Sequence, residues 1–539
     1  MTTEIKTWLT HEMLEYLKEH RFDGAWDEVA HSFNKEFGEK RSVDAVRLAF
    51  GRYGERDLSG REFSWWTRAA FDDVVEFSQK QGRYFVSGVM PINRIMKDGY
   101  EYTSNYVNME AWRTVLHRFN TEEQRPVLLA TNAHTRPLEK QPAHYDPAMT
   151  PWQQFFTGEA TFNRHLRAVD MRLNPQQRKP LTSMELADLD NSVLLASPRQ
   201  ELRVIPTGNK TTPRILRSTG VMNYGGYQPN RMGQLADRAH RMGGLVLEVD
   251  GGMFHHRPVQ FDANGGYYDL GQYIHHEGST ASRAEAIVFG DFHLELTTPG
   301  LVDVGVRLIK DTQPRAMLFH DPTDMPWCNP HIAPSDWHRM PEWMRDSSAC
   351  RAVIRARMDI LRAAAPADCK IYWVASNHGA GEGDFFARYV KSGRYTSDPI
   401  TANAKAGHKA WLDLIDGRNP TAEWLDLPYI TYLGEDEDLF IKGWQCANHG
   451  HKGVGGIRSK QAVARTASKV ISGHTHEPSE SENHIVVGHM SMDDHIYNRG
   501  GGRNWLQSSA VIQPSGHVQQ ILMIKKPNTE DTYTYRMGG

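Results

Sequence analysis

Ala286-Ile-Val-Phe-Gly-Asp-Phe-His293 and Ala316-Met-Leu-Phe-His-Asp-Pro-Thr-Asp324 have one form: a short apolar run that breaks into carboxylate and imidazole. Apolar runs of about four to eight residues bounded by turn residues suit strands buried on both faces, as in a parallel sheet. The form recurs downstream. Ile371–Val374 ends in Ser376-Asn-His-Gly379, and Phe440–Trp444 leads through Gln445–Asn448 into His449-Gly-His451. Val470-Ile471 precedes Ser472-Gly-His-Thr-His476. Open α/β sheets place their sites beyond the carboxyl ends of successive strands, so the chain from about 244 onward reads as an α/β unit with one polar end.

The residue types at that end specify a chemistry. The chain has 26 histidines against four cysteines, and the cysteines lack CxxC spacing, so a metal site here is built from imidazole and carboxylate. In Asp-x-His at a strand end the middle residue turns away and both ligands reach one cation. A carboxylate such as Asp321 has two oxygens and can bridge two cations, and Asn377 can add a neutral oxygen. Two cations about 3.5–4 Å apart activate a water and neutralise a phosphoryl transition state. Each motif alone is weak, since a lone Asp-x-His is usually a surface loop. The order, with intervals of 30, 56, 72 and 25 residues from Asp291 through Asp321, Asn377 and His449 to His474, carries the reading.

That order resembles the calcineurin-like metallophosphoesterases, whose motifs read DxH, GDxxD, GNHD/E, H and GHxH. The resemblance covers 244–539 and implies a two-sheet α/β/β/α sandwich. It implies a first cation on Asp291, His293, Asp321 and His476, and a second on Asp321, Asn377, His449 and His474. It places His378 near the leaving group as proton donor or transition-state stabiliser. Two positions depart from the pattern: His320 stands where Gly is usual, and Gly379 where an acidic residue often follows the histidine. The segment His449-Gly-His-Lys-Gly-Val-Gly-Gly-Ile-Arg458-Ser459, Arg203–Asn223 and Trp505–Met523 resemble phage-encoded members of the superfamily. That group includes host-DNA-degrading early proteins of T-five-like phages and, more distantly, the SbcD-type repair exonucleases. The resemblance therefore implies a two-metal DNA phosphodiesterase, with Mn²⁺ favoured and Fe or Zn acceptable to the same O and N donors.

Upstream, residues 1–56 predict three short helices, and the eighteen-residue spacing from Trp8 to Trp26 resembles that of Myb/SANT-type helix-turn-helix modules. Thr10 caps the first, and Trp26, Val29, Ala30, Phe33 and Phe37 line one face of the second. The segment is net acidic, but residues 40–56 carry Lys40, Arg41, Arg47, Arg52 and Arg56 against Asp44 and Glu55, a local +3. Arg41, Arg47 and Arg52 are the candidate DNA contacts. A small bundle that docks protein is the competing reading. Residues 57–82 read as a connector with an amphipathic helix around Trp65–Phe77, and 83–243 as an accessory α/β domain with a partly helical insertion over 135–190.

The whole chain of 539 residues carries 62 Lys and Arg against 65 Asp and Glu, net −3, so any attraction to DNA must be local. Beside the metal motifs His451, Lys452 and Arg458 are candidates to grip a phosphate backbone. No apolar run reaches the ~18 residues a membrane helix needs, and Met1–Leu9 lacks a secretory apolar stretch, so a cytoplasmic location is expected. The expected partners are DNA and further copies of the chain, with no membrane. The alternatives to a DNase are a small-nucleotide phosphodiesterase or phosphoprotein phosphatase, and a non-catalytic DNA-binding regulator.

Overall fold

The computed structural model describes residues 16, 26–38, 40, 74–77, 81–97, 100–131, 145–171, 173–185, 188, 190–208, 213–227, 230–378, 385–452, 469–495 and 503–538. These residues form a mixed α/β structure. Its centre is a six-stranded sheet in the order Ile430–Leu433, Lys370–Val374, Ala316–His320, Ala286–Phe289, Ser508–Ile512, Val518–Leu522. The first four strands are parallel and the last two form an antiparallel hairpin at the edge. Ala286–Phe289 and Ala316–His320 are buried along their whole length, which is why they read as unbroken apolar runs.

The crossovers are helical. Pro299–Thr312 follows the 286–289 strand; Thr298 caps its first turn by accepting from Leu301 N, and Pro299 occupies a position with no partner for an N–H. Gln313 ends it in the left-handed region at φ 44°. Ser347–Ala364 follows the 316–320 strand, capped by Asp346 through the amides of Ser348 and Ala349. Alternate strand residues divide between two cores. Ile287, Phe289, Met317, Phe319, Ile371 and Trp373 face the helices, against Leu301, Leu308, Ile354 and Met358. Ala286, Val288, Ala316 and Leu318 face a second sheet, against Trp444, Cys446, Ile471, Ile485 and Val487. The result locally is helix, sheet, sheet.

That second sheet has eleven strands. One half comes from residues 74–218 and the other from 440–486, where Lys469–Ser472 lies parallel to both His484–Val486 and Trp444–Gln445. Its upstream half packs on a four-stranded sheet through Ala160, Phe162, Leu166, Leu194, Val86, Leu129, Leu245 and Leu247.

Three expectations are corrected here. Gly243–Asp250 lies in the middle of that four-stranded sheet, pairing with Gln81–Val89 on one side and Met253–Gln260 on the other. A domain boundary at 243/244 therefore cuts a hydrogen-bonded ladder, and 83–243 and 244–539 are not separable there. The stretch 135–190 is partly helical as expected, in the 3-10 segment Pro147–Phe155, but the expectation lacks the antiparallel hairpin of Glu159–Asn163 and Leu166–Val169. The end of the amphipathic stretch Trp65–Phe77 is a strand, Val74–Glu76, parallel to Glu159–Thr161, with Phe77 stacked on Phe162 at 5.3 Å. Pairing with a neighbouring strand overrides the local helical spacing. Strands at Gln81–Val89, Arg125–Ala130, Ser192–Leu195, Leu202–Ile205 and Arg214–Ser218, with the helix Met109–Asn120, give this region the α/β character expected of it.

Of the N-terminal module the helix Trp26–Phe37 is described, with Ala30 and Phe33 buried and Phe37 edge-on to Tyr16 at 5.3 Å. Trp8, Arg41, Arg47 and Arg52 lie outside the described residues. The four cysteines are buried and unbridged. Among the described residues no helix is long and apolar enough to cross a membrane.

The two halves of the eleven-stranded sheet meet at a single register pair, Glu480 with Leu202. Arg217, fully buried on the upstream half, donates from Nη2 to Glu480 Oε2 at 2.6 Å across this joint. Removing one partner of a buried pair strands the other charge in low dielectric at a cost of roughly 3–5 kcal/mol. Glu480→Ala should therefore lower the unfolding free energy from guanidinium titration by that order, and an unchanged value would show that packing and the Arg199–Glu482 pair hold the joint without it.

Candidate metal centre

The polar ends of both sheets converge. Asp291 and His293 follow the 286–289 strand, and Phe292 between them packs inward against Phe289 and Phe319 at 5.5 and 5.8 Å. Burying that ring turns its two neighbours toward the opposite side. Asp321 follows the 316–320 strand, and the two loops are tied together by His293 N to Asp321 O at 3.1 Å and Leu294 N to Pro322 O at 2.8 Å. Asn377 and His378 follow the 370–374 strand. From the second sheet, His449 follows Trp444–Gln445, and His474 and His476 follow Lys469–Ser472.

The backbone here is strained. His293, Asp321, His474 and His476 have φ of 41°, 45°, 74° and 58°, a region that costs a non-glycine residue of order 1–3 kcal/mol and is kept where the surroundings or function demand it. Gly473 is required for a different reason. A Cβ built there would lie 2.1 Å from Asp291 Oδ1, so only glycine lets the turn pass the carboxylate.

All seven residues that the resemblance nominates as ligands lie in one cluster. His476 Nε2 is 3.2 Å from Asp291 Oδ2 and 3.0 Å from His293 Nε2. His449 stands between the carboxylates, with Nδ1 3.7 Å from Asp291 Oδ1 and Nε2 3.9 Å from Asp321 Oδ2. His293 Nε2 is 3.8 Å from Asp321 Oδ2. Asn377 Oδ1 lies 3.2 Å from His449 Nε2 and 3.1 Å from His474 Nδ1. Potential donor atoms of Asp291, His293 and His476 form one group, and those of Asp291, Asp321 and His449 another, each within 4.8 Å. Asn377 and His474 are half-buried and form the open edge of the cluster.

The electrostatics fit cations. Burial, then the neighbouring Asp321 charge, pushes the Asp291 carboxyl well above its usual range. Burial also pushes His293 and His449 well below theirs, and His474 and His476 down to about 4. Four neutral imidazoles around two buried carboxylates are metal ligands in their binding form. Asp291 Oδ1 and the Nδ1 atoms of His293, His449 and His476 are buried without a hydrogen-bond partner. A divalent cation would satisfy Asp291 Oδ1 and His449 Nδ1, which face each other at 3.7 Å, and offset the carboxylate repulsion.

His378 lies at the same cluster, its Nδ1 2.6 Å from Asp321 Oδ2. With His293 and Asp324 it makes a third group that could hold a cation. Ser376 Oγ donates to Asp321 Oδ1 at 2.7 Å and fixes the other carboxylate oxygen. Of the candidate phosphate grips, His451 lies beside the cluster, its ring 5.5 Å from that of His449 and 6.3 Å from that of His474. Lys452 and His451 both contact Glu435, Lys452 through Oε2 and His451 through Oε1 at 3.4 Å, so an internal carboxylate holds them. Arg458 and Gly379 lie outside the described residues. His320 is fully buried, stacked on His449 at 5.9 Å, with its Cβ against the Gly473 turn.

Several functional neighbours escaped the sequence reading. Glu295 is buried and accepts from the Thr323 hydroxyl and from the amides of Asp324 and Met325, each at 3.1 Å, so it holds the loop that carries Asp324. His489 Nδ1 and His495 Nε2 share Ser491 Oγ at 3.1 and 2.8 Å, behind His476 and Trp505. The density of polar residues in Gly488-His-Met-Ser-Met-Asp-Asp-His495 was the available signal; Glu295 offered none.

No family model matches the chain, and no solved structure matches it. Among curated proteins it is similar to "Protein A1" of Escherichia phage T5, 25% identical over 336 residues that cover 56% of this chain and 58% of that protein. The chain thus spans little more than half the length of this relative, and the likeness supports a phage relation.

Gly473→Ala tests the cluster without touching a ligand. The added methyl must displace Asp291, so bound metal measured by mass spectrometry should fall about tenfold or more at unchanged circular dichroism. Normal metal content would remove Asp291 from the ligand set.

Proposed function

We propose that the protein is a two-metal phosphodiesterase of the calcineurin-like type that cleaves DNA. The convergence of Asp291, His293, Asp321, Asn377, His449, His474 and His476 from two sheets carries this reading. The helix–sheet–sheet packing around them agrees with the sandwich that the resemblance implies. Asp291, His293 and His476 would hold one divalent ion and Asp321, Asn377, His449 and His474 the second, with Asp321 shared. Bound there, the ions would supply Lewis acidity at the phosphoryl oxygens and an activated water.

The chain's own residues do the rest. His378 holds a proton. Burial works against its charged form, but the carboxylates of Asp321, Asp324 and Asp291 outweigh burial and hold it up to about 9. With those carboxylates committed to cations their hold on the imidazolium would weaken, which would free its proton for a leaving oxygen. Phe385, with its ring 4.4 Å from the imidazole, limits water on one side of His378. Ser376 and Glu295 position Asp321 and the 323–325 loop and touch no substrate.

DNA as substrate rests on the phage relation and on the basic stretch 40–56. Mn²⁺ is the ion to test first, and the site serves a cytoplasmic enzyme that assembles with further copies of itself.

Asp321→Ala should abolish Mn²⁺-dependent hydrolysis of plasmid DNA and of bis-p-nitrophenyl phosphate, because it removes a ligand common to both ions. Near-normal turnover with metal content unchanged ends the two-metal reading.

His378→Ala should keep the metals and cut turnover by roughly 10²–10⁴, the usual worth of a proton-transfer group. If metal is lost instead, His378 is a ligand, as its grouping with His293 and Asp324 allows.

Deleting 1–56 should spare the chromogenic diester while weakening duplex binding and flattening its salt dependence, by about 0.9 in log–log slope per lost phosphate contact. Unchanged affinity and slope, with an altered oligomeric mass, would make that module a protein-docking element.

A further inference from the structure

A cavity of about 630 Å³ lies at the far ends of the strands that carry His449 and His474. Trp444 and Lys469, the first residues of their strands, line it, together with Asn483 just ahead of His484–Val486 and with Ser515 and Gly516 in the edge hairpin turn. Strands rise about 3.3 Å per residue, so Lys469 stands roughly 10 Å from Ser472, on the side away from the metal ligands. The upstream region closes the cavity with Arg199, Arg238, Arg241 and Phe261.

The charges in its wall are unequally matched. Glu482 pairs with Arg199 at 2.9 Å and Glu480 with Arg217 at 2.6 Å. Asp262 is taken up by the amides of Asn264 and Gly266 and by the Tyr273 hydroxyl, at 2.9, 3.0 and 2.7 Å. The Glu201 carboxyl is pushed up by burial to about 7. The carboxylates are thus accounted for, but the cations are not. Among the described residues Arg238, Arg241 and Lys469 form no salt bridge. Arg241 Nη1 donates to the backbone carbonyls of Arg238 and His240, both at 3.1 Å, and Lys469 Nζ lies 5.4 Å from the Trp444 ring centroid. Arg199 is 5% exposed, and its buried Nε has no hydrogen-bond partner. Burial disfavours the charged forms of Arg241 and Lys469; Glu482 and Glu480 partly offset this at Arg241, while Arg241 adds to it at Lys469 more than Glu482 relieves it. Three cations without a salt-bridge partner around one cavity, with the orphaned Arg199 Nε among its lining groups, are an anion site.

We infer that this cavity binds a phosphomonoester of nucleotide size, with its phosphate between Arg238, Arg241 and Lys469. A carboxylate would be satisfied by one arginine fork, whereas a phosphate dianion has oxygens for several cations. The volume falls within the ~300–1,000 Å³ range of small-molecule sites, and Phe261, Trp444, Ile485 and Val518 supply apolar wall for the organic part. The site is separate from the metal centre and independent of the reaction proposed there.

Calorimetric titration of the full chain in excess chelator, with the four deoxynucleoside monophosphates and with deoxyadenosine as the phosphate-free control, tests it. Arg238 and Lys469 are exposed enough for Arg238→Gln and Lys469→Gln to leave folding intact. At least one monophosphate should bind, each substitution should weaken it about tenfold, the worth of one charge-assisted bond, and Asp321→Ala should leave it unchanged. The inference is overturned if no monophosphate binds, if deoxyadenosine binds as well, or if both substitutions bind like the parent. Loss of binding in Asp321→Ala alone would place the nucleotide at the metal centre and overturn it equally.

Discussion

Two carboxylates, Asp291 and Asp321, sit 0% and 1% exposed at the seam between two sheets, and the local structure is arranged around that fact. An uncompensated buried carboxylate costs several kcal/mol, and a pair costs more through mutual repulsion. Here the compensation is a ring of neutral histidines, the protonated His378 beside Asp321, one serine hydroxyl and the amide of His474, which donates to Asp291 Oδ2 at 2.7 Å. Such a ring leaves acceptors orphaned in the way a cation-binding site does.

The strain follows from the same constraint. Ligands on five loops must reach a common point, and loops that leave strands in different sheets cannot do so with ordinary backbone throughout. Positive φ at His293, Asp321, His474 and His476, and a glycine at 473, are the local consequences. The framework that tolerates them is rigid. Asp291 is clamped on both sides, its N–H donating to Gly488 O at 3.0 Å and its carbonyl accepting from Met490 N at 2.9 Å. The 488–490 segment that does this also brings in His489 and, through Ser491, His495. A polar layer thus stands directly behind His476.

The region upstream of 244 is part of the same construction. It supplies half of the eleven-stranded sheet and, through the four-stranded sheet, contacts the edge hairpin, where His517 Nε2 and Gln519 Nε2 both meet Pro258 O, at 2.9 and 3.1 Å. The metal centre lies at one end of the paired sheets and the cationic cavity at the other, so the two are joined by short rigid strands.

The sequence by itself determined three adjacent parallel strands of the six-stranded sheet, 286–289, 316–320 and 370–374, and the identity of the seven clustered polar residues. Both are written locally: a strand buried on both faces must be an apolar run, and a ligand at its end must interrupt that run with Asp, Asn or His. It determined much less of the region before 260. At Gly243–Asp250 the ladder runs to residues more than a hundred positions upstream, and at Val74–Glu76 a parallel neighbour decides strand over helix. Tertiary structure alone decided that Glu295 holds the 323–325 loop, that Glu435 captures His451 and Lys452, and that Arg199, Arg238, Arg241 and Lys469 gather around one cavity. These depend on charges distant in the chain meeting in space, and pairwise electrostatics at short range leaves no periodicity for a sequence to display.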